Sequence, residues 1–175
     1  AVGSRALFSI TTGIGNVAVG QGALDLATTQ ADFNIAIGID AVNGNWTTAD
    51  VNDVIGIGRN AVSGVLTSAT SGTIGIGYNA LTSLTSGGGN LAIGYQAGAG
   101  VTTGTYNHFL GHETGKVHTT GARNIAIGQN AMDDTDAGSN SLGSNDNIFM
   151  GYDAGGGTWA DAASQYNVAI GNYSM

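Results

Sequence analysis

Apolar and polar residues alternate in a short phrase that recurs along the whole chain. The phrase reads NVAVGQGAL at 16–24, NIAIGIDAV at 34–42 and NIAIGQNAM at 124–132. Ten copies align on a central glycine, with spacings of 17 to 23 residues. The central glycines are Gly3, Gly20, Gly38, Gly58, Gly77, Gly94, Gly111, Gly128, Gly151 and Gly171. Repetition at such a period is typical of one structural unit stacked on itself.

The residues one and three positions before the central glycine are apolar in almost every copy, and most of them are β-branched. Ile125 and Ile127 represent these two columns in one copy, and His108 is a polar exception. Residues two apart on a strand face the same way, so the pattern is that of a half-buried strand. Each copy therefore predicts one short strand that ends next to its central glycine.

The residue between these two columns is small in most copies, and on a strand it points to the opposite face. A sheet face that is open to water usually carries polar residues, so small side chains there indicate that something packs closely over them. We predict that this something is another copy of the chain. The predicted chain–chain contact residues are Ala18, Ala36, Gly56, Gly75, Ala92, Phe109, Ala126, Phe149 and Ala169.

Asn occupies the position four residues before the central glycine in most copies, where it suits a corner and is able to form a ladder between coils. After the glycine, pairs such as Ala80 and Leu81 predict a second short strand, and the remainder has turn composition. Stacked coils would each add about 4.8 Å of height. We predict an all-β parallel β-roll or β-helix of about ten coils, forming one domain over residues 1–175.

The phrase N-[VIL]-A-[VI]-G-x-x-A-[LVM], followed by a Thr/Gly-rich turn, resembles the repeats of bacteriophage tail fibres. It is also similar to the head domains of trimeric autotransporter adhesins. The resemblance covers all ten copies and implies a left-handed roll, with three chains intertwined or side by side around one axis. Adhesin heads keep a shorter and stricter repeat, whereas the spacing here reaches 23 residues between Gly128 and Gly151, which favours the tail-fibre side.

This resemblance further implies attachment to a bacterial or host surface as the function. It places the chain in a virion tail fibre, with other tail components and a host-surface glycan or outer-membrane protein as partners. The alternative within the same class is a trimeric adhesin head on the bacterial surface. Because the chain begins within a copy of the phrase, at Ala1-Val2-Gly3, we expect it to be a segment of a longer protein.

Composition narrows the function further. Twelve acidic and four basic residues give a net charge of −8, which disfavours nucleic acid and anionic membrane surfaces because both need clustered Lys and Arg. No apolar run is long enough for a membrane-spanning helix. There is no Cys, hence no disulfide framework and no thiolate zinc site. GHETGKV at 111–117 lacks the spacing of a phosphate loop, and we predict a non-enzymatic protein without a cofactor.

Two weak metal motifs are present. His108 replaces an apolar column residue, so three chains would bring three copies of it to a common axis, where a metal could bind. Asp133, Asp134 and Asp136 could supply oxygen ligands to Ca²⁺, although the segment departs from the EF-hand pattern. The simpler interpretation is a tolerated polar substitution in the first case and a solvated loop in the second.

Aromatic residues are the best candidates for receptor contacts, because their faces stack on sugars and they anchor interfaces. Trp46 and Trp159 lie in turn segments, and Tyr78, Tyr95 and Tyr152 directly follow central glycines. The competing interpretation is that these rings cover the roll or pack between chains.

Two further functional classes stay open. One is an ice- or glycan-binding single-chain solenoid. Ice binding would need Thr in one regular column, but Thr is scattered over the turns here. A glycan-degrading tailspike would need paired acids in a groove, and no spacing in this sequence singles out such a pair.

Overall fold

The computed structural model describes residues 1–25, 30–44, 46, 50–133, 143–157 and 164–175. Over these residues the chain is an all-β solenoid with one parallel sheet of nine strands, arranged in chain order. The strands are β1 (Val17–Val19), β2 (Ile35–Ile37), β3 (Ile55–Ile57), β4 (Ile74–Ile76), β5 (Leu91–Ile93), β6 (His108–Leu110), β7 (Ile125–Ile127), β8 (Ile148–Met150) and β9 (Val168–Ile170). A single 3₁₀ turn covers Ser68–Thr70.

The register of the sheet follows the sequence repeat. Each strand pairs in parallel with the next one along the chain, so that middle residues such as Ala18 and Ala36 lie opposite one another. This confirms the predicted parallel solenoid with one strand before each central glycine. The copy at Gly3 forms only an isolated bridge, between Val2 and Val19, so the described residues contain nine strands where ten coils were predicted.

The small middle residue of each strand points into the interior of its own chain. Ala36, Ala92 and Phe109 are fully buried, and a Cβ on Gly56 would overlap the Val42 side chain of the preceding coil. The roll is therefore filled from within by the middle column and by the residues that follow each central glycine. The wall of the interior opposite the sheet lies so close that most coils have room only for Ala or Gly in the middle column.

This burial corrects the predicted chain–chain contact. The side chains concerned have no surface left for another chain, because their own coil already surrounds them. They are Ala18, Ala36, Gly56, Gly75, Ala92, Phe109, Ala126, Phe149 and Ala169. The inference that something packs closely over this column is right, but what packs there is the same chain.

The predicted second strand is also wrong. After each central glycine the chain turns, and the residues two and four positions later adopt left-handed backbone, as at Asn79 (φ 54°) and Leu81 (φ 52°). The Asn79 N–H donates to the Arg59 carbonyl of the preceding coil, and the Leu81 N–H donates to the Ala97 carbonyl of the following coil. Alternating left-handed residues thus turn the corner while the backbone groups stay paired along the rod, as buried polar groups require.

Each central glycine is required for steric reasons. At Gly94, φ is 140° and a Cβ would overlap the carbonyl of Gly111 in the next coil. Stacked glycines therefore let successive coils approach closely at the end of each strand, where a side chain would be strained and would also collide.

The predicted Asn ladder is confirmed. The Asn107 N–H and Nδ2 donate to Asn90 Oδ1 at 2.9 and 3.2 Å, and Asn124 contacts Asn107 in the same way at 3.0 and 2.9 Å. Asn147 and Asn167 continue the row. Except in Asn167, each Nδ2 of the row also donates to a backbone carbonyl of the next coil, as from Asn107 to Gly121 at 2.8 Å. The ladder satisfies buried polar groups beside the sheet and fixes the register of the coils.

Candidate functional site

The first and third residues of every strand form an outer stripe, which is the surface of the sheet that faces away from the interior. None of its members is buried, and all but His108 are apolar. Val17, Ile93 and Ile170 are 46%, 38% and 70% exposed, so the exposure runs from the first strand to the last. The stripe extends over roughly 38 Å, since eight steps of about 4.8 Å separate nine strands.

Such a stripe is unusual for a lone soluble chain, because continuous apolar patches of this kind mark interaction surfaces. The predicted period-2 pattern is present, but its apolar side is turned outwards. The stripe was not among the predicted contact residues. The signal that could have found it is the preference for bulky β-branched residues in both of its columns.

Residues directly after the central glycines form a second surface feature, which we call the trailing corner. Tyr78 and Tyr95 stack with ring centroids 5.2 Å apart and Tyr95 and His112 stack at 4.9 Å. The Arg59 guanidinium lies over the Tyr78 ring, 4.6 Å from its centroid. Four consecutive coils therefore carry one continuous stack along the rod.

The stack limits how the predicted receptor residues Tyr78 and Tyr95 could bind a ligand. Each ring has its faces covered by the neighbours above and below, so a sugar could not stack on them, although Tyr95 remains 44% exposed. What the stack offers to a partner is ring edges and phenolic hydroxyls. Its geometry agrees with the interpretation that these rings cover the roll, and their role in receptor binding stays a prediction.

Tyr152, the third tyrosine of this column, lies in an edge-to-face contact with Tyr173, with centroids 5.2 Å apart. The electrostatic influence of Tyr173 and the hydrogen bond between the two raise the pKa of Tyr152, and Asp153 and Asp133 contribute in the same direction. Both rings are exposed, Tyr152 to 38% and Tyr173 to 70%.

Of the two tryptophans, the structure describes only Trp46. Trp46 is 2% exposed and belongs to the core, so its prediction as a receptor contact is wrong: the ring fills the interior beside Gly44. Trp159 lies outside the described residues.

Residues five positions before the central glycines form a third feature, the leading corner, where each strand is approached. Phe33, Tyr106 and Tyr166 are strongly exposed there. Arg123 and Asp146 in the same column form a two-pronged ion pair, with Nε–Oδ1 at 2.6 Å and Nη2–Oδ2 at 2.8 Å. This column was missed from the sequence, because its members share a left-handed backbone conformation but no common side-chain chemistry.

The candidate metal ligands are not brought together in the described part of the chain. No group of three or more His, Asp or Glu side chains is placed to hold a metal there. His108 is exposed on the outer stripe, and Asp133 lies beside the turn of its coil, whereas Asp134 and Asp136 lie outside the described residues. A metal site shared between chains at His108 stays a prediction.

One pocket of about 240 Å³ opens near the first strands and is lined by Arg5, Gln21, Gly22, Asp25, Asp40 and Asn43. Arg5 Nε pairs with Asp25 Oδ2 at 2.8 Å, and Asn43 Nδ2 donates to Asp40 Oδ1 at 2.9 Å. The pocket therefore holds an ion pair and a carboxylate that accepts a hydrogen bond from a side-chain amide.

Among the described residues, no helix is long and apolar enough to cross a membrane. Comparison of the chain with protein-family models, with curated proteins and with solved structures finds no match. Its function must therefore be argued from its own surfaces.

Proposed function

We propose that this chain is a structural and attachment segment of a homotrimeric fibre, most simply a tail fibre of a bacteriophage virion. Three left-handed rolls would stand side by side with their outer stripes turned to a common axis. The observation that carries the proposal is the outer stripe itself, which is apolar on every strand and faces solvent in the single chain.

The physical argument is one of burial. Each exposed Ile or Val that leaves water stabilises an assembly by about 25 cal/mol per Å² of apolar area. A stripe that follows the rod axis is covered along its full length only by a partner that is itself a rod of the same rise. Another copy of this chain has that shape and that rise, and a three-fold arrangement gives every stripe two neighbours.

Attachment follows from the same geometry. Three copies would present each loop and corner three times, so weak contacts with a surface glycan or an outer-membrane protein would add by avidity. The net charge of −8 on each chain keeps the outside of such a rod soluble and limits non-specific adhesion. Ice binding is less favoured, since the flat exposed face carries Ile and Val where regular Thr ranks would be needed.

The test is the mass of the purified chain in solution, measured by light scattering over a range of concentrations. We expect about 52 kDa, which is three times the 17.4 kDa of one chain. A stable mass of one chain at micromolar concentration would overturn the proposal, because the outer stripe would then be tolerated in water without a partner.

A further inference from the structure

The two corners of the roll lie at opposite ends of every strand. The leading corner precedes the strand and the trailing corner follows it, so the two members on each strand are six positions apart, as are Asp53 and Arg59. At about 3.3 Å per residue, they are roughly 20 Å apart within one chain. Members of the same strand therefore do not reach each other inside a single roll.

In a three-fold assembly they would meet between chains. If every sheet faces the axis, the three strands at one level run head to tail around it. The trailing corner of one copy then adjoins the leading corner of the next. Closed rotational symmetry allows no step along the axis, so the two corners meet at the same level.

Arg59 is the one basic residue that has no ion pair among the described residues, and this arrangement gives it a partner. Arg5, Lys116 and Arg123 each form an ion pair within the chain, with Asp25, Glu113 and Asp146 respectively. Arg59 is exposed, lies over the Tyr78 ring and has no carboxylate within ion-pair distance among the described residues. At the other end of the same strand, Asp53 is exposed and forms no ion pair in the described structure.

The neighbouring levels are complementary in size and polarity. On the next strand, Tyr78 would face Gly72, where no atom of the chain lies within 4 Å of the place a Cβ would occupy. On the preceding strand, Ile39 would face Phe33; these side chains are 48% and 56% exposed. Three successive levels thus offer an apolar pair, a charge pair and a ring opposite a gap.

We propose that copies of this chain associate level with one another, with Arg59 of one copy paired to Asp53 of the next and Tyr78 lying against Gly72 of the next. This inference rests on the proposed three-fold fibre and adds to it the residues that set the register. A shift of one strand would place Asp53 against Ile39 or Tyr78 and leave both charges without a partner. The charge pair therefore favours the closed, level ring over open assemblies in which each chain is stepped along the axis from the one before.

Cysteine cross-linking tests the register directly, since the natural chain has no Cys. In the double variant Asp53→Cys, Arg59→Cys, the two thiols of one chain are too far apart to join, because a disulfide needs Cα atoms within about 7 Å. We expect oxidation to produce a covalent ring of three chains on a denaturing gel. The matched control is Asp53→Cys, Tyr95→Cys, which offsets the thiols by two strands, about 10 Å, and should give little product.

A charge-reversal cycle gives an independent readout. Asp53→Arg and Arg59→Asp would each place like charges at all three contacts, and the leading corner accepts Arg in left-handed backbone, as Arg123 (φ 57°) demonstrates. We expect each single variant to weaken association roughly tenfold or more, and the double variant to recover most of that loss.

The outcomes separate the two proposals. A natural chain with the mass of one chain would overturn both. A natural chain with the mass of three would retain the fibre proposal, and the register would then be overturned by absent cross-links or by additive charge reversals. A covalent product that stops at two chains when oxidation is complete would overturn the three-fold arrangement on which the register rests.

Discussion

The ring of Phe109 occupies the space that a side chain at Gly115 would take. A Cβ on Gly115 would overlap the ring, and one on Gly98 in the preceding coil would lie 3.0 Å from it. Phe149 and Gly155 repeat the relationship, with a Cβ 2.9 Å from the ring. In most coils whose middle residue is Ala or Gly, the facing position carries a larger residue such as Leu24. The coil of Ala92 is the exception, because its facing residue Gly98 leaves room for the Phe109 ring of the next coil.

This competition for space predicts a coupled pair of substitutions. Gly115→Ala should destabilise the fold by about 2–4 kcal/mol, because overpacking adds to the cost of an alanine at φ 59°. In the background of Phe109→Ala, the same substitution should cost only the backbone part, about 1 kcal/mol. Urea unfolding of the four variants at one chain concentration measures the coupling.

The control for this cycle is Gly171→Ala. Its φ of 127° is also unfavourable for a residue with a side chain, but the space beside it is open. Its cost should therefore be the same with and without the Phe109 ring. Equal effects of Gly115→Ala with and without the Phe109 ring would show that the two residues do not compete for space.

The Asn ladder predicts a loss that spreads to neighbouring coils. Asn107→Ala removes two donors and the acceptor of the Asn124 N–H and Nδ2, leaving buried polar groups without partners. We expect roughly 3 kcal/mol of destabilisation, from one to two orphaned groups. Thr103→Ala, at an exposed position outside both corners and the outer stripe, should change stability by less than about 0.5 kcal/mol. Comparable melting temperatures for the two variants would contradict a structural role of the ladder.

The ion pair at the leading corner predicts a pH effect. The hydrogen bond from Arg123 lowers the pKa of Asp146 below its usual value. Because the folded-state pKa is the lower one, the stabilising contribution of Asp146 is present above the unfolded value, near 3.9, and is lost as the pH falls through the folded value. Carboxyl NMR titration should show the Asp146 pKa rising towards its usual value in Arg123→Gln. An unchanged titration would mean that the pair does not persist in solution.

The outer stripe predicts that neighbouring residues of one strand respond in opposite ways. Ile93→Lys places a charge on the exposed side of β5 and should lower the solution mass towards one chain while leaving the far-ultraviolet circular dichroism unchanged. Ala92→Lys places the same charge in the interior, where it has no partner, and should prevent folding. If both variants assembled as the natural chain does, the orientation of β5 would be wrong.

Much of this fold follows from the repeat alone. The spacing of Ile35, Ile37 and Gly38 predicts a strand and its end, and Asn34 predicts the ladder, because these signals are local and recur in almost every copy. The sequence did not predict which side of the strand faces the interior. One side carries bulky apolar residues and the other carries small ones, so no polar side marks the surface. The orientation could have been found from residues that vary together. The two copies with Phe in the middle column, at Phe109 and Phe149, have Gly at the facing position of the turn, at Gly115 and Gly155, which indicates that the two positions share one space.

The corners were harder to predict for a different reason. Arg59, Tyr78 and His112 have unrelated chemistries, and only stacking along the rod makes them one surface. Trp46 was misplaced because a large ring in a turn-like segment is read as exposed, whereas here a longer coil folds the ring inwards. The spacing of the repeat places Tyr78 and Tyr95 in one column, but it shows neither the stacking of Arg59 and His112 with them nor the inward position of Trp46.

Because the nine strands follow one another in strict chain order, the length of the rod is set by the number of its coils. Each strand pairs only with the strand before it and the strand after it. The pairing of one coil therefore does not depend on the total number of coils. Removal of residues 95–111 would join Gly94 to His112 and preserve the phase of every remaining column. The rod would become shorter by one coil, about 4.8 Å, and the coils on either side of the deletion would pair with each other. The length of such a fibre could therefore change during evolution by whole coils, while the outer stripe and the two corners stay continuous.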